Sequence, residues 1–135
     1  MAVTSILLDT SAYSLLMRGD RDILKLLNGA HEVYMSTIVV GELYAGFLQG
    51  TKKERNFYLL KEFLSEKRVS VVGISLNTSS IYGKIITELK LKGTPIPSND
   101  MWIAAQSMET KATLMTTDNH FTQVNRLSLI QIDRI

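Results

Sequence analysis

Short apolar segments alternate with helical segments along the whole chain, and this alternation constrains the fold more than any other feature. The apolar segments have the length and composition of buried strands. They lie at residues 3–8, 32–35, 69–72, 113–115 and 129–132. Strands that alternate with helices are typical of parallel sheets covered by helices on both faces. The sequence therefore predicts a three-layer α/β/α fold around a mainly parallel sheet of four to five strands.

Length and composition indicate one soluble globular domain over residues 1–135, with 45% hydrophobic and 21% charged residues. The chain has no cysteine, which excludes disulfide frameworks, thiolate nucleophiles and cysteine-type zinc sites and fits a reducing cytoplasm. The first apolar segment stops at Asp9 without a preceding basic region. Residues 34–48 are too few to cross a bilayer and include Glu42. We therefore expect a cytoplasmic protein without a membrane segment.

Polar residues mark where the helices begin, and glycines mark where several end. The predicted N-cap residues are Asp20, Ser36 or Thr37, and Ser98, the last of which places the start of its helix at Asn99. A capping box is predicted from Thr51 to Glu54, and Asn77 or Thr78 is predicted to open a long helix. Gly50 and Gly93 are predicted helix ends. In the helix after Ser36, the predicted core stripe is Val40, Leu43, Tyr44 and Phe47, which leaves Glu42 off the stripe.

Four acidic residues, Asp9, Glu42, Asp100 and Asp118, have no lysine or arginine within six positions, whereas most other acids lie near a base. Glu32 also meets this criterion, so it does not isolate the four by itself. Asp9 and Asp118 follow predicted strands. Asp100 lies in the first turn of a helix that leads into one. If the strand at 113–115 is parallel to its neighbours, these acids lie at the carboxyl edge of the sheet, where ligands bind in such folds.

Carboxylates brought this close repel one another, so either their pKa values rise or a divalent cation neutralises them. Oxygen ligands suit Mg²⁺ or Mn²⁺ rather than zinc. The nearby hydroxyls of Thr10, Ser11 and Thr116 lack a base that could activate them, and we interpret them as hydrogen-bond donors that orient the carboxylates. Each acid also has an ordinary structural interpretation, such as a turn or helix-start residue.

Four short motifs give the chain a resemblance to PIN-domain proteins, most closely to the VapC-type ribonuclease toxins of prokaryotic toxin–antitoxin pairs. The motifs are Ile6-Leu7-Leu8-Asp9-Thr10-Ser11, the Ser36 to Leu43 segment ending in Glu-Leu, Asn99-Asp100-Met101-Trp102-Ile103-Ala104-Ala105, and Leu114 to Phe121, with Thr116, Asp118 and Phe121 at the family's spacing. Each motif alone is weak, whereas their order and spacing over nearly the full length are specific.

The resemblance implies an endoribonuclease that uses Mg²⁺ or Mn²⁺ and cleaves single-stranded or loop RNA to leave a 5′-phosphate and a 3′-hydroxyl. It implies that Asp9, Glu42, Asp100 and Asp118 form the acidic, metal-binding site. It also implies a homodimer and a cognate antitoxin that blocks the site. His120 is interpreted as a fortuitous neighbour of the site rather than a phosphate contact. The substrate-binding residues are not identifiable from the sequence.

Two other functions stay open at this point. One is a catalytically silent PIN scaffold that binds RNA or protein, against which the four intact acids argue. The other is a phosphatase or a flap-type DNA nuclease. Asp9-Thr10-Ser11 lacks the second aspartate that haloacid-dehalogenase-like phosphatases need, which counts against an aspartyl intermediate.

Overall fold

A computed structural model describes residues 4–134, and within this range five parallel strands form one sheet. The strands are β1 (Ser5–Leu8), β2 (Glu32–Ser36), β3 (Val69–Val72), β4 (Thr113–Thr116) and β5 (Leu129–Gln131). The helices are α1 (Thr10–Met17), α2 (Arg21–Asn28), α3 (Thr37–Gln49), α4 (Lys53–Leu64), α5 (Leu76–Lys92) and α6 (Ser98–Thr110), and a 3₁₀ helix covers Asn119–Gln123. The spatial order of the strands is β3-β2-β1-β4-β5.

The central strands show that helices cover both faces of the sheet. Successive side chains of a strand point to opposite faces. In β1, Ile6, Leu7 and Leu8 are all fully buried, and in β4 the same is true of Leu114 and Met115. Burial on both faces of neighbouring strands requires a layer of helices on each side. The predicted three-layer α/β fold with a parallel sheet is therefore confirmed.

The predicted strands match the observed ones to within a few residues. Val3, the first residue of the first predicted strand, lies outside the described residues, and β1 begins at Ser5. The last strand ends at Gln131, one residue before the predicted end. Within residues 4–134, no helix has the length and apolar character needed to cross a membrane.

Some of the predicted helix ends are confirmed. The Asp20 side chain accepts hydrogen bonds from the backbone N–H groups of Asp22 and Ile23 at the start of α2. Ser36 accepts one from Ile38 at the start of α3. Gly93 follows α5 in the left-handed conformation, with φ +72°, which glycine adopts at little cost.

Three predicted helix starts are wrong. Pro97 rather than Ser98 occupies the cap position of α6, and Ser98 is already helical. The Thr51 to Glu54 capping box does not form, because α4 starts at Lys53 with no side-chain cap. Ser75 caps α5, and Thr78, predicted as a possible start, closes a capping box with it. The predicted core position of Tyr44 is also wrong, since its side chain is exposed and Val39 is buried instead.

Candidate active site

The candidate site lies at the carboxyl edge of the sheet, between β1 and β4. These strands are adjacent and parallel, with Leu8 opposite Met115. The strand at 113–115 is therefore parallel to its neighbour, which is the condition under which the acids were predicted to lie at the carboxyl edge. The chain order reverses at β1, whose neighbours are β2 on one side and β4 on the other. A reversal of this kind opens a crevice beyond the strand ends, which is where ligands bind in open α/β sheets.

Asp9 follows β1 directly and caps α1. The residue is 6% exposed. One carboxylate oxygen, Oδ1, accepts hydrogen bonds from the Ser11 hydroxyl at 2.7 Å and the Ala12 backbone N–H at 2.9 Å. The other, Oδ2, accepts a hydrogen bond from the Thr116 hydroxyl. Burial raises the pKa of Asp9 above its ordinary value, the donors act in the opposite direction, and the charge of Asp118 adds to the increase.

Ser11 and Thr116 connect Asp9 to the segment that carries Asp118. The Ser11 hydroxyl oxygen accepts a hydrogen bond from the Thr117 backbone N–H at 3.0 Å. The Thr116 hydroxyl oxygen accepts one from the Asp118 backbone N–H at 2.9 Å. Each hydroxyl thus donates to the Asp9 carboxylate and accepts from the backbone after β4. The predicted orienting contacts of Ser11 and Thr116 are present, and they fix the two strand ends relative to each other.

Asp100 and Asp118 face each other across a histidine. Asp100 lies in the first turn of α6, as predicted, and Asp118 caps the 3₁₀ helix. Nδ1 of His120 lies 3.1 Å from Oδ2 of Asp100 and 3.0 Å from Oδ1 of Asp118. One potential ligand atom from each of the three residues lies within 4.8 Å of the other two. These side chains therefore converge on a volume that could hold one ion.

The charge environment of Asp100 is that of a partly desolvated acidic cluster. Burial is the main cause that raises its pKa, and the charges of Asp118 and Asp9 raise it further. The hydrogen bond and the charge of His120 act in the opposite direction. Asp9, Asp100 and Asp118 thus interact electrostatically as one group. A divalent cation among them would offset this repulsion, and carboxylate oxygens are the ligands that Mg²⁺ and Mn²⁺ prefer.

Glu42 projects toward the same site from the exposed side of α3. The Thr10 hydroxyl donates a hydrogen bond to its Oε1 at 2.7 Å. The side-chain amide of Asn99 lies 3.4 Å from its Oε2, in position to donate. Since Thr10 follows Asp9 and Asn99 precedes Asp100, Glu42 is bound to the neighbours of two of the other acids. The structure brings all four predicted acids to one edge, with Asp9 and Glu42 outside the tight group that Asp100 and Asp118 form with His120.

Two residues at this site were not assigned a role from the sequence. His120 was interpreted as a fortuitous neighbour, yet it contacts two of the acids. Its position two residues after Asp118 is the sequence signal that points to such a contact. Asn99 immediately precedes Asp100 in the motif, and its side-chain amide contacts Glu42. Its contact partner lies 57 residues away in the chain, and a local pattern does not reveal such a pairing.

Comparison with known proteins adds independent information to this geometry. The PIN-domain family model matches residues 6–127. Ribonuclease VapC2 of Rickettsia felis is 35% identical over 112 residues, which cover 82% of each chain. Ribonuclease VapC4 of Mycobacterium tuberculosis is 27% identical over 102 residues, 76% of this chain and 78% of that protein.

Solved structures give the same assignment. The crystal structure of VapBC2 from Rickettsia felis bound to a promoter DNA fragment contains a chain with a TM-score of 0.84 and 29% identity, over 96% of this chain and 100% of that one. A chain of VapBC-1 from nontypeable Haemophilus influenzae has a TM-score of 0.81 and 25% identity, over 95% of this chain and 98% of that one. The protein described here belongs to the PIN-domain family and is a VapC-type member of it.

Proposed function

We propose that this VapC-type PIN-domain chain is a metal-dependent endoribonuclease and the toxin of a toxin–antitoxin pair. The observation that carries the proposal is the convergence of Asp9, Glu42, Asp100 and Asp118 at the switch point between β1 and β4. Relatives named as ribonucleases and structural neighbours solved as VapBC complexes support it. The reaction is hydrolysis of an RNA phosphodiester bond to a 5′-phosphate and a 3′-hydroxyl.

The acidic site fits a divalent cation, Mg²⁺ or Mn²⁺. Its donor set is a group of carboxylate oxygens, two of whose acids have pKa values raised mainly by burial. Asp9, Asp100, Asp118 and Glu42 would hold the ion. A bound divalent cation supplies positive charge to a phosphate oxygen and lowers the pKa of a nucleophilic water.

Residues around the acids prepare the site for this chemistry. Thr116, Ser11 and the Ala12 N–H hold the Asp9 carboxylate in one orientation, so that it does not need to reorganise when substrate arrives. Thr10 and Asn99 direct Glu42 toward the cluster. The Asp118 side chain is 37% exposed and that of His120 50%, which leaves an open approach for an RNA strand.

Several further parts of the proposal concern assembly and location. The whole of residues 1–135 forms a single PIN-like domain. The chain acts as a homodimer on RNA in the cytoplasm, and a cognate antitoxin inhibits it. The solved neighbours that are toxin–antitoxin complexes support the antitoxin partner.

The test is cleavage of a defined RNA, which contains single-stranded and loop regions, with Mg²⁺ or Mn²⁺ present. Wild type should cleave it and EDTA should stop the reaction. Asp9→Asn and Asp100→Asn should each lower the rate by about a hundredfold or more, which corresponds to roughly 2.7 kcal/mol of lost transition-state stabilisation. Glu62→Gln on the exposed side of α4 is the matched control for loss of a surface carboxylate and should cleave like wild type.

The outcomes separate the remaining functions. Cleavage that survives both aspartate substitutions or EDTA contradicts the metal-dependent mechanism. RNA binding without cleavage by folded wild type indicates a catalytically silent scaffold. Faster cleavage of a matched DNA than of the RNA indicates a DNA nuclease instead.

A further inference from the structure

His120 is the one non-acidic side chain in the group whose ligand atoms converge at the site. Its Nδ1 lies nearly equidistant from Asp100 Oδ2 and Asp118 Oδ1, at 3.1 and 3.0 Å. The imidazole Nδ1 thus points between two carboxylates that belong to different segments of the chain. At these distances Nδ1 can donate a hydrogen bond that both acids share. Alternatively, it can be the third ligand of a cation that both acids bind.

Two contacts hold the backbone of His120 at the site. Its backbone N–H donates to Asp118 Oδ1 at 2.9 Å, so the acid caps the turn that carries the histidine. The next residue, Phe121, is 1% exposed and anchors the 3₁₀ helix in the core. Because the turn is held at both sides, the backbone of His120 stays beside the two acids and keeps the ring within reach of both.

The distances match those between adjacent ligands of an octahedral ion. With ligand bonds of about 2.1 Å, two ligands at a right angle lie about 3.0 Å apart. The N–H bond and the lone pair of a ring nitrogen point in the same direction. In the tautomer that carries its hydrogen on Nε2, the ring therefore offers the Nδ1 lone pair to the space between the two carboxylates.

We infer that His120 Nδ1 is a direct ligand of the cation held by Asp100 and Asp118, and that this nitrogen makes the site select Mn²⁺ over Mg²⁺. The inference rests on the proposed function, since it concerns the same cation. Mg²⁺ strongly prefers oxygen ligands and retains its waters, whereas first-row transition ions accept imidazole more readily. An imidazole ligand added to the carboxylates therefore makes the site favour Mn²⁺ more than carboxylates alone would.

The test compares wild type, His120→Ala and His31→Ala by calorimetric titration with Mn²⁺ and with Mg²⁺. His31 precedes β2 at the amino edge of the sheet, opposite the acidic site, so its replacement controls for loss of a histidine. His120→Ala should weaken Mn²⁺ binding by roughly tenfold or more, since even indirect support of a ligand contributes that much. Mg²⁺ binding should change by less than about twofold, and His31→Ala should bind both ions like wild type.

A spectroscopic measurement tests whether His120 Nδ1 bonds directly to the ion. Electron spin-echo envelope modulation of bound Mn²⁺ detects a coordinated ¹⁴N nucleus. Wild type and His31→Ala should show the nitrogen modulation, and His120→Ala should not. Because the His120 side chain is half exposed, we expect all three proteins to fold, which circular dichroism verifies.

The results distinguish this inference from the proposed function. If wild type binds Mn²⁺ without nitrogen modulation, His120 is not a ligand. The inference also fails if His120→Ala binds both ions as tightly as wild type does, or more tightly. The imidazole ring would then only compete with the cation for space. An equal loss of affinity for Mn²⁺ and Mg²⁺ in His120→Ala contradicts the inferred selectivity. Failure of wild type to bind either ion rejects the metal-dependent function itself.

Discussion

Replacement of Thr116 by valine should destabilise the protein in a pH-dependent way, although the two side chains have nearly the same shape. The Thr116 side chain is fully buried. Its hydroxyl donates to Asp9 Oδ2 and accepts from the Asp118 backbone N–H at 2.9 Å. Valine removes both hydrogen bonds and adds an apolar methyl group in their place.

The magnitude follows from the groups that lose a partner. A hydrogen bond to a charged group contributes about 1.5–3 kcal/mol and one between neutral groups about 0.5–1.5 kcal/mol. The added methyl recovers up to about 0.8 kcal/mol through burial. In the pH range where Asp9 is ionised in both proteins, Thr116→Val should therefore lower the free energy of unfolding by roughly 2–3 kcal/mol.

The pH dependence follows from the state of Asp9. Burial raises the pKa of this carboxyl, and the Thr116 hydrogen bond partly opposes the increase. Loss of the hydroxyl raises the pKa of Asp9 further, so the variant loses more stability than wild type as the pH rises through these pKa values. Below them Asp9 is neutral in both proteins, and the difference should shrink to about 1 kcal/mol.

Urea unfolding of metal-free protein in EDTA, from neutral pH down to about pH 4, measures this difference. Thr113→Val is the matched control, because it makes the same exchange on β4 at a hydroxyl that pairs with the Ser128 hydroxyl at 2.8 Å in an exposed position. It should change the free energy of unfolding by no more than about 0.5 kcal/mol at any pH. A pH-independent effect of Thr116→Val would refute the coupling to the Asp9 charge.

Two further predictions concern Asp100 and Lys111. Burial raises the pKa of Asp100, so the metal-free protein loses stability as the pH rises through that pKa. Asp100→Asn should therefore melt at a higher temperature than wild type at neutral pH in EDTA. A lower melting temperature of the variant would contradict this. Lys111 follows α6 in the left-handed conformation with φ +59°, so Lys111→Gly should raise the free energy of unfolding in urea by about 0.5–1 kcal/mol. Lys90→Gly, at an exposed position inside α5, should lower it by a similar amount.

The sequence predicted the strands well because their signal is local. Each strand is a short apolar segment whose buried residues lie next to one another in the chain, as Ile6, Leu7 and Leu8 do. The helix starts were less predictable, because several polar residues compete for one position. Serine is a common N-cap residue, which favours Ser98. The carbonyl of Pro97, however, accepts a hydrogen bond from the Met101 backbone N–H, so the helix starts one residue earlier.

The acids were predictable for a different reason, and the limit of that reasoning is visible at Glu32. All five candidates lack a basic neighbour, but Glu32 begins β2 at the amino edge of the sheet and accepts a hydrogen bond from Tyr34. The lack of a basic neighbour alone does not separate Glu32 from the other four acids, whereas its position at the start of a strand does. The positions of Asn99 and His120 depend on how α6 and the segment after β4 approach each other, and this requires the tertiary structure.

The electrostatics of the site connect its stability to its proposed function. The burial that raises the pKa of Asp9 and Asp100 makes their ionised forms unfavourable in the metal-free fold. A cation that binds only the folded state offsets this cost and adds about 2.7 kcal/mol at a concentration a hundredfold above its dissociation constant. Asp100→Asn removes the cost but also removes a ligand. The variant should therefore be the more stable protein in EDTA, and wild type should become the more stable one when Mn²⁺ is saturating, because only wild type recovers the binding energy in full.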